Sequence, residues 1–200
     1  MRTFEEKARN MGFARIAGTD EAGRGPLAGP VVSAAVILPP AFSDSRITDS
    51  KKLTPKKREL IYDLISARAD GIGIGIVESE EIDRINILRA SLKSMHLAVT
   101  ELFPQPDYLL IDGKFTIPFC NMPQEAVIRG DSLSISIAAA SIIAKVTRDR
   151  IMDRYHEIWP RYCFHVHKGY PTKAHRDAVA AFGPCPIHRV SFRGVREYVR

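Results

Sequence analysis

The sequence predicts an α/β fold, in which five strands form one sheet and helices connect and cover it. Three segments with strand character come first and are joined by short links, which favours an antiparallel meander. Two further strand segments come later and alternate with helical patterns, as they do in α/β domains. The five segments, in chain order, are RIAGTD, PVVSAAVILP, GIGIGIVES, DYLLIDG and QEAVIRGD, the last of them ending near Asp131.

Helix signals separate the earlier strands. Thr54 as N-cap and Pro55 at the first helical position predict a helix over LTPKKRELIYDLISARAD. The apolar spacing in SEEIDRINILRASLKSMHLAVTELFP predicts one continuous helix that ends at Pro104.

The C-terminal part of the chain is predicted to be helical. A long helix is expected from 132 to about 158, with its apolar first half buried in the protein and its charged second half emerging. A shorter helix is expected near 172–182, and a last helical turn or two near 192–199.

The net charge of +6 is unevenly placed along the chain. Residues 145–200 carry 12 Lys and Arg against 5 Asp and Glu, whereas residues 1–144 carry 17 against 18. A basic C-terminal quarter favours a polyanion such as nucleic acid as the partner. Mildly basic proteins without such a partner are also common, so charge alone leaves both interpretations open.

The composition points to a cytoplasmic protein with no membrane association. The longest apolar runs, such as VVSAAVIL and SISIAAASIIA, are shorter than a membrane span, and the N-terminal residues lack the apolar core of a signal peptide. Three cysteines, Cys120, Cys163 and Cys185, are too few for a secreted disulfide framework, and we expect reduced thiols.

Carboxylates stand at the ends of two predicted strands. Asp20 and Glu21 close the first strand, and Asp112 follows the apolar run YLLI. Ligands gather at strand ends in sheets with helical crossovers, so these acids can converge. Converging carboxylates repel each other unless protons or cations neutralise them, and their hard oxygens suit Mg²⁺ or Mn²⁺. An isolated Asp-Glu pair before glycines is more often a polar turn, and the residues alone leave that alternative open.

Glu21 raises a geometric requirement. Neighbouring side chains on a regular strand point to opposite faces, so Glu21 and Asp20 share a site only if the strand ends or bulges there. The following Gly23, Arg24 and Gly25 supply such a break. The glycines also allow a ligand to approach the backbone closely, and the arginine can bind phosphate or orient the loop.

Seven segments, in order over nearly the whole chain, closely resemble bacterial type 2 ribonuclease H, ribonuclease HII. This resemblance implies a ribonuclease H-like fold: a five-stranded mixed sheet flanked by helices, with a C-terminal helical extension. We expect residues 1–200 to form a single domain, with a catalytic core over about 1–158 and a basic helical extension over about 159–200. The segments are GTDEAGRGPLAGPVVSAAVIL, TDSKKLTPKKREL, ILRASLKSM, LIDGK, GDSLSISIAAASIIAKVTRDR, HKGYPTKAH and HRVSF.

The resemblance also implies an activity. The family hydrolyses the RNA strand of RNA/DNA hybrids and cuts 5′ to single ribonucleotides in duplex DNA by a two-metal mechanism, leaving 3′-hydroxyl and 5′-phosphate ends. Its role is ribonucleotide removal from DNA. A monomer that needs Mn²⁺ or Mg²⁺ and no organic cofactor is expected. The related type 3 enzyme usually carries an N-terminal extension, and the short segment before the first predicted strand favours type 2.

Four acids correspond to the metal site of the family: Asp20, Glu21, Asp112 and Asp131. Asp20 is expected to bridge both ions. Helix rules alone would make Asp131 an N-cap, and only the resemblance reverses that preference. Asp149 is a competitor that fits an exposed charge cluster on a helix better.

Substrate contacts are implied for the Gly23–Gly25 backbone and for Tyr170, which together would read the 2′-hydroxyl. Without the motif, Tyr170 would be taken as a half-buried surface residue in a turn. Lys51 and Lys52 are candidate phosphate contacts or a solvated charge pair. Some basic residues of the C-terminal quarter are also expected to follow the duplex backbone: Arg148, Lys168, Lys173 and His175.

Three alternatives stay open at this point. A non-catalytic nucleic-acid binding module would explain the basic tail, and a metal-dependent phosphohydrolase of small nucleotides would explain the acids. Cys163 lacks an evident base for a nucleophilic role. A zinc site is weakly suggested, without a paired Cys-x₂-Cys motif, by Cys163, His165, His167, Cys185 and His188.

Overall fold

A five-stranded mixed sheet forms the centre of the structure, a computed structural model that describes residues 1–50 and 53–199. The strand order is β3-β2-β1-β4-β5, with β1, β2 and β3 antiparallel in turn and β4 parallel to both β1 and β5. The predicted α/β fold with an N-terminal meander is confirmed. The strands are β1 (Ile16–Ala22), β2 (Val31–Ile37), β3 (Gly71–Val77), β4 (Tyr108–Asp112) and β5 (Gln124–Val127).

Helices cover both faces of the sheet. The longest, α5, packs across β1 and β2 on one face with α2 beside it, and α4 packs on β2 and β3 from the other face. All of β2 is therefore buried: Ala34 and Val36 belong to the α5 side of the core, Ala35 and Ile37 to the α4 side. The helices are α1 (Thr3–Asn10), α2 (Pro55–Arg68), α3 (Ser79–Ile85), α4 (Ile87–Thr100), α5 (Ile135–Ile158), α6 (Phe164–His167) and α7 (Lys173–Phe182).

The helix predicted to run continuously to Pro104 is two helices. Asn86 separates α3 from α4 with a positive φ of 69°, and its side chain accepts the Arg89 N–H as the N-cap of α4. The capping bond offsets the strain of the positive φ. The apolar spacing continues from α3 into α4, although the helix itself is interrupted at Asn86.

The passage from β5 to α5 also differs from prediction. The strand ends at Val127 rather than near Asp131, and a 3-10 turn, Gly130–Ser132, comes next. Helix α5 begins at Ile135 rather than 132, because the Ser134 hydroxyl accepts the Ile137 N–H at 3.2 Å and caps it.

The C-terminal segment packs on the second half of α5. Met152 is buried in a cluster with Tyr162, Phe164 and Val179, so one side of this half stays inside the protein instead of emerging as predicted. The predicted helix near 172–182 is α7, and the helical turn predicted near 192–199 is a 3-10 turn, Arg196–Tyr198. None of the described helices combines the length and apolarity needed to span a membrane.

Strand β1 and helix α5 approach so closely at Gly18 that a side chain has no room there. A Cβ at Gly18 would lie 2.2 Å from the carbonyl carbon of Ser136 and 2.3 Å from the Ile137 nitrogen. We expect Gly18→Ala to push α5 away from the sheet and to lower the free energy of unfolding by about 3 kcal/mol, measured by urea denaturation.

Gly25→Ala is the control for this substitution. A Cβ at Gly25 would meet only Tyr170 Cε1, at the ordinary contact distance of 3.8 Å, and Gly25 is exposed and has no positive φ. An exposed substitution of this kind changes the free energy of unfolding by about 0.5 kcal/mol or less. An equal loss in the two variants would contradict the steric explanation.

Candidate active site

The parallel pairing of β1 and β4 brings Asp20 and Asp112 together. The last paired residues are Thr19 and Ile111, so the next residue on each strand, at the same level of the sheet, is an aspartate. Both line a cavity of about 240 Å³ at the carboxyl ends of these strands. The cavity is lined by Asp20, Glu21, Ala22, Gly23, Arg24, Gly25, Ser50, Asp112, Ser141, Lys145 and Tyr170.

Asp20 is a buried carboxylate held in place by hydrogen bonds. Its Oδ1 accepts the Glu21 N–H at 2.7 Å, and it is hydrogen-bonded to Ser141 of α5, whose hydroxyl lies 2.9 Å from that of Ser50. Burial, followed by the charges of Glu21 and Asp112, raises the pKa of Asp20 well above its usual value, against the opposing effect of the hydrogen bonds. An ionised Asp20 is therefore costly unless a cation is near.

Glu21 reaches the same cavity, and the strand breaks just after it, in the glycine-containing segment that was predicted to supply the break. Pairing with β2 continues through Glu21 and Ala22, and the chain turns only at Gly23, with φ of +105°. Because β4 ends at Asp112, at the level of Asp20, no described strand pairs with Glu21 on that side, which leaves Glu21 room at the cavity. Glu21 Oε1 accepts from Arg24 Nη1 at 3.1 Å; burial raises the pKa of Glu21, and Arg24 opposes that shift.

Asp131, the fourth predicted acid, does not line the cavity. The Gly130 N–H donates to Asp112 Oδ1 at 2.7 Å, which ties the 3-10 turn to the end of β4. Asp131, the next residue, is half-buried. The N-cap role considered for it is wrong, since Ser134 caps α5.

The donor chemistry of the cavity fits a hard divalent cation, although the acids do not form a closed cage. Among residues 1–50 and 53–199, no three His, Cys, Asp or Glu side chains are gathered closely enough to hold a metal ion. Asp112 accepts a hydrogen bond from the Gly130 N–H, and Glu21 accepts one from Arg24. Three carboxylates on one cavity, with the pKa of Asp20 raised, are nevertheless what an oxygen-ligated cation stabilises.

The alternative zinc site finds no support in the described residues. Cys163 is exposed, while Cys185 is buried and its backbone N–H donates to His188 Nδ1 at 2.9 Å. All three cysteines are free, as expected from the composition.

Tyr170 faces the glycine-rich loop, which we define as Gly23–Pro30. A Cβ at Gly25 would lie 3.8 Å from Tyr170 Cε1, and 41% of Tyr170 is exposed.

Lys145 lies beside Tyr170 and pairs with Asp149. Its Nζ is 5.6 Å from the centroid of the Tyr170 ring and 2.6 Å from an oxygen of Asp149. Burial lowers the pKa of Lys145, and Asp149 opposes that shift. Asp149 therefore belongs to a charge cluster on α5, as predicted, but it is half-buried instead of exposed. It does not line the cavity.

Comparison with known proteins identifies the family. The ribonuclease HII family model matches residues 17–195. The chain belongs to the ribonuclease HII family. Ribonuclease HII of Syntrophus aciditrophicus (strain SB) is 56% identical over 190 residues, covering 95% of this chain and 89% of that protein. Ribonuclease HII of Geobacter metallireducens is 56% identical over 197 residues, covering 98% and 92%.

A solved structure agrees with this assignment. The ribonuclease H2 from Pyrococcus horikoshii OT3 superposes with a TM-score of 0.77 at 26% identity, covering 92% of this chain and 97% of that one. Ribonuclease HII family members are divalent-metal-dependent endonucleases that act on RNA/DNA hybrids, so this protein is such an enzyme. The non-catalytic binding module and the small-nucleotide phosphohydrolase are set aside.

Two arginines hold the glycine-rich loop of this ribonuclease HII family member, a role that the sequence did not predict for either of them. Arg148 and Arg189 are fully buried, and their guanidinium groups donate to backbone carbonyls. In the sequence both look like ordinary members of a basic region, so no local signal separated them from surface charges. Arg148 donates to Ala28, Pro30 and Lys168, and Arg189 donates to Gly23, Arg24, Pro26 and Gly29.

Two of the predicted phosphate contacts are wrong. The side chains of Arg148 and His175 have no exposed surface, so they cannot contact the backbone of a duplex. Lys168 is half-buried and pairs with Asp153, whereas Lys173 is exposed and pairs with Asp177. The predicted contacts Lys51 and Lys52 lie outside the described residues.

Proposed function

We propose that the protein hydrolyses the RNA strand of RNA/DNA hybrids and cuts duplex DNA 5′ to a single embedded ribonucleotide, leaving 3′-hydroxyl and 5′-phosphate ends. Its role would be the removal of ribonucleotides from DNA. One observation carries this proposal: Asp20, Glu21 and Asp112 line the same cavity as the Gly23–Gly25 backbone and Tyr170. Acids for hydrolysis and groups able to contact a 2′-hydroxyl are thus side by side.

The acids that would hold Mg²⁺ or Mn²⁺ are Asp20, Glu21, Asp112 and Asp131. Two bound ions would supply an activated water and neutralise charge on the leaving 3′ oxygen. Asp20 lies between strands β4 and β2 and is oriented by Ser141 and by the Glu21 N–H, which suits it for contact with both ions. Asp131 does not line the cavity, but it directly follows Gly130, whose N–H donates to Asp112.

Recognition of the ribonucleotide would rest on the glycine-rich loop and Tyr170. The Gly23 and Arg24 carbonyls accept from Arg189, so these peptide units have fixed orientations. We infer that the Gly23–Gly25 backbone contacts the 2′-hydroxyl, and that the Tyr170 ring packs on the neighbouring deoxyribose with its hydroxyl near the same group. Lys51 and Lys52 remain proposed phosphate contacts.

The proposal is tested with matched duplexes that contain zero, one or four ribonucleotides, incubated with Mg²⁺, Mn²⁺ or a chelator. We expect cutting of the one- and four-ribonucleotide duplexes, none of the all-DNA duplex, and loss of all cutting with the chelator. End mapping should place the break 5′ to the ribonucleotide. Cutting of all-DNA duplex would refute recognition of the 2′-hydroxyl, and inertness toward one ribonucleotide would refute the single-site activity.

A further inference from the structure

A chain of hydrogen bonds runs through buried histidines from Cys185 to Tyr170. The Cys185 N–H donates to His188 Nδ1 at 2.9 Å, and His188 Nε2 lies 3.0 Å from His175 Nε2. His175 Nδ1 in turn lies 3.0 Å from the Tyr170 carbonyl oxygen, which also accepts the Thr172 N–H at 2.8 Å. Both rings are buried, with 0% of His175 and 2% of His188 exposed.

The partners at the two ends fix where the protons lie. The Tyr170 carbonyl can only accept, so His175 carries its hydrogen on Nδ1 and leaves Nε2 as an acceptor. The Cys185 N–H can only donate, so His188 carries its hydrogen on Nε2 and donates it to His175. An Nδ1–H on His188 could reach the Cys185 Sγ at 3.1 Å or the Cys185 carbonyl at 3.3 Å, but it would then face the Cys185 N–H, which lies closer, at 2.9 Å. Both rings are therefore neutral, and burial lowers the pKa of each to about 4.

The chain joins the two segments that meet at the candidate site. His188 pairs through its backbone with Ala28 of the glycine-rich loop in an isolated antiparallel bridge. The Leu27 N–H of the same loop donates to the Gly169 carbonyl at 2.8 Å, next to Tyr170. The backbone of His188 is therefore paired with the glycine-rich loop, and its side chain is linked through His175 to Tyr170.

We propose that His175 and His188 are positioning residues for ribonucleotide recognition: His188 holds the His175 ring, and the hydrogen bond from His175 Nδ1 to the Tyr170 carbonyl sets Tyr170 in register with the glycine-rich loop. This inference rests on the role of Tyr170 under the proposed function. Neither ring lines the cavity, so both histidines act through the Tyr170 backbone and not on the substrate.

A simple packing role is the alternative. The His175 ring stacks on His167 with centroids 4.4 Å apart and meets the Phe164 ring edge-on at 5.5 Å. If packing were its only role, a ring of similar size would replace His175 best. If the hydrogen bond matters, a smaller side chain that keeps a donor near the Nδ1 position would replace it best.

His175→Phe and His175→Asn separate these two roles because they predict opposite orders. We expect His175→Phe to lower kcat on the single-ribonucleotide duplex about 10- to 100-fold, and His175→Asn to stay within about threefold of the parent protein, since small misplacements of a substrate contact cost such factors. In thermal unfolding the order should reverse, with the phenylalanine variant the more stable. His165→Phe, at an exposed histidine of the same region, should change neither quantity. Rates that follow the order of stability would overturn the proposal.

A double-mutant cycle tests whether His175 acts through Tyr170. Residues that act on the same step are not additive, so His175→Phe should cost no more than about twofold when Tyr170→Ala is already present. An undiminished effect of His175→Phe in that background would overturn the positioning role and leave the proposed function standing. Unimpaired cutting by Tyr170→Ala alone would instead remove the Tyr170 part of the proposed function, and this inference with it.

Discussion

Asp20→Asn should lower the rate of RNA-strand cutting by at least about 1,000-fold, equivalent to roughly 4 kcal/mol of transition-state stabilisation. Asp20 shares the cavity with Glu21 and Asp112, whose charges act on it, and is the acid we propose to contact both ions. Asparagine keeps the shape and one oxygen but removes the charge that draws a cation into the cavity. Cutting of the single-ribonucleotide duplex, measured in Mg²⁺ and in Mn²⁺, checks the loss.

The same substitution should stabilise the metal-free protein, by roughly 2 to 4 °C in Tm. Burial and the neighbouring carboxylates raise the pKa of Asp20, so ionising it destabilises the fold. A carboxyl whose folded pKa lies above its unfolded value contributes stability while it is protonated and loses that contribution as pH rises through the folded pKa. The gain from Asp20→Asn should therefore be largest at neutral and higher pH and shrink as the pH falls.

Asp63→Asn is a matched control, since Asp63 is exposed on α2 and should change neither rate nor Tm. Added Mn²⁺ should raise the Tm of the parent protein and of this control but not of Asp20→Asn. If Asp20→Asn still cut the duplex, the metal assignment would be wrong. A lower Tm in metal-free buffer would contradict the electrostatic explanation.

Tyr170→Ala should lower cutting at a single ribonucleotide about 100-fold with little change in Tm. The ring is partly exposed and faces Gly25 across the cavity, so its removal leaves no cavity in the core. The loss should be expressed mainly in kcat, because a ring that orients the sugar affects the reacting geometry more than overall affinity.

Tyr198→Ala is the control for this prediction, because Tyr198 is 42% exposed and lies outside the cavity. It should leave cutting unchanged. A fall in the Tm of Tyr170→Ala as large as its loss of activity would favour a packing role for Tyr170 instead.

The sheet and the central acids were predictable because their signals are local. Apolar runs that end in a carboxylate located Asp20 and Asp112, and the sense of the strands determined that they meet. The break at Asn86 and the turn around Gly130 were not predictable, since each depends on a left-handed residue that ordinary spacing does not reveal, Asn86 or Arg129. The position of Asp131 relative to Asp112 depends on that turn.

Buried charge was the other failure of sequence reasoning. Arg148 lies in the charged second half of a helix, where spacing predicts solvent, yet it is enclosed. Two of its carbonyl partners, Ala28 and Pro30, are more than a hundred positions away in the sequence. His175 was misjudged for the same reason, because its enclosing partners come from separate segments that only the tertiary fold assembles.

The two guanidinium groups beneath the glycine-rich loop have a thermodynamic consequence. A loop rich in glycine would ordinarily sample many backbone shapes, and a ligand would have to select one of them. Here the carbonyls of Gly23, Arg24, Pro26, Ala28, Gly29 and Pro30 are already held by Arg148 and Arg189. The loop is thus ordered when the chain folds, and its shape should persist on warming until the whole protein melts.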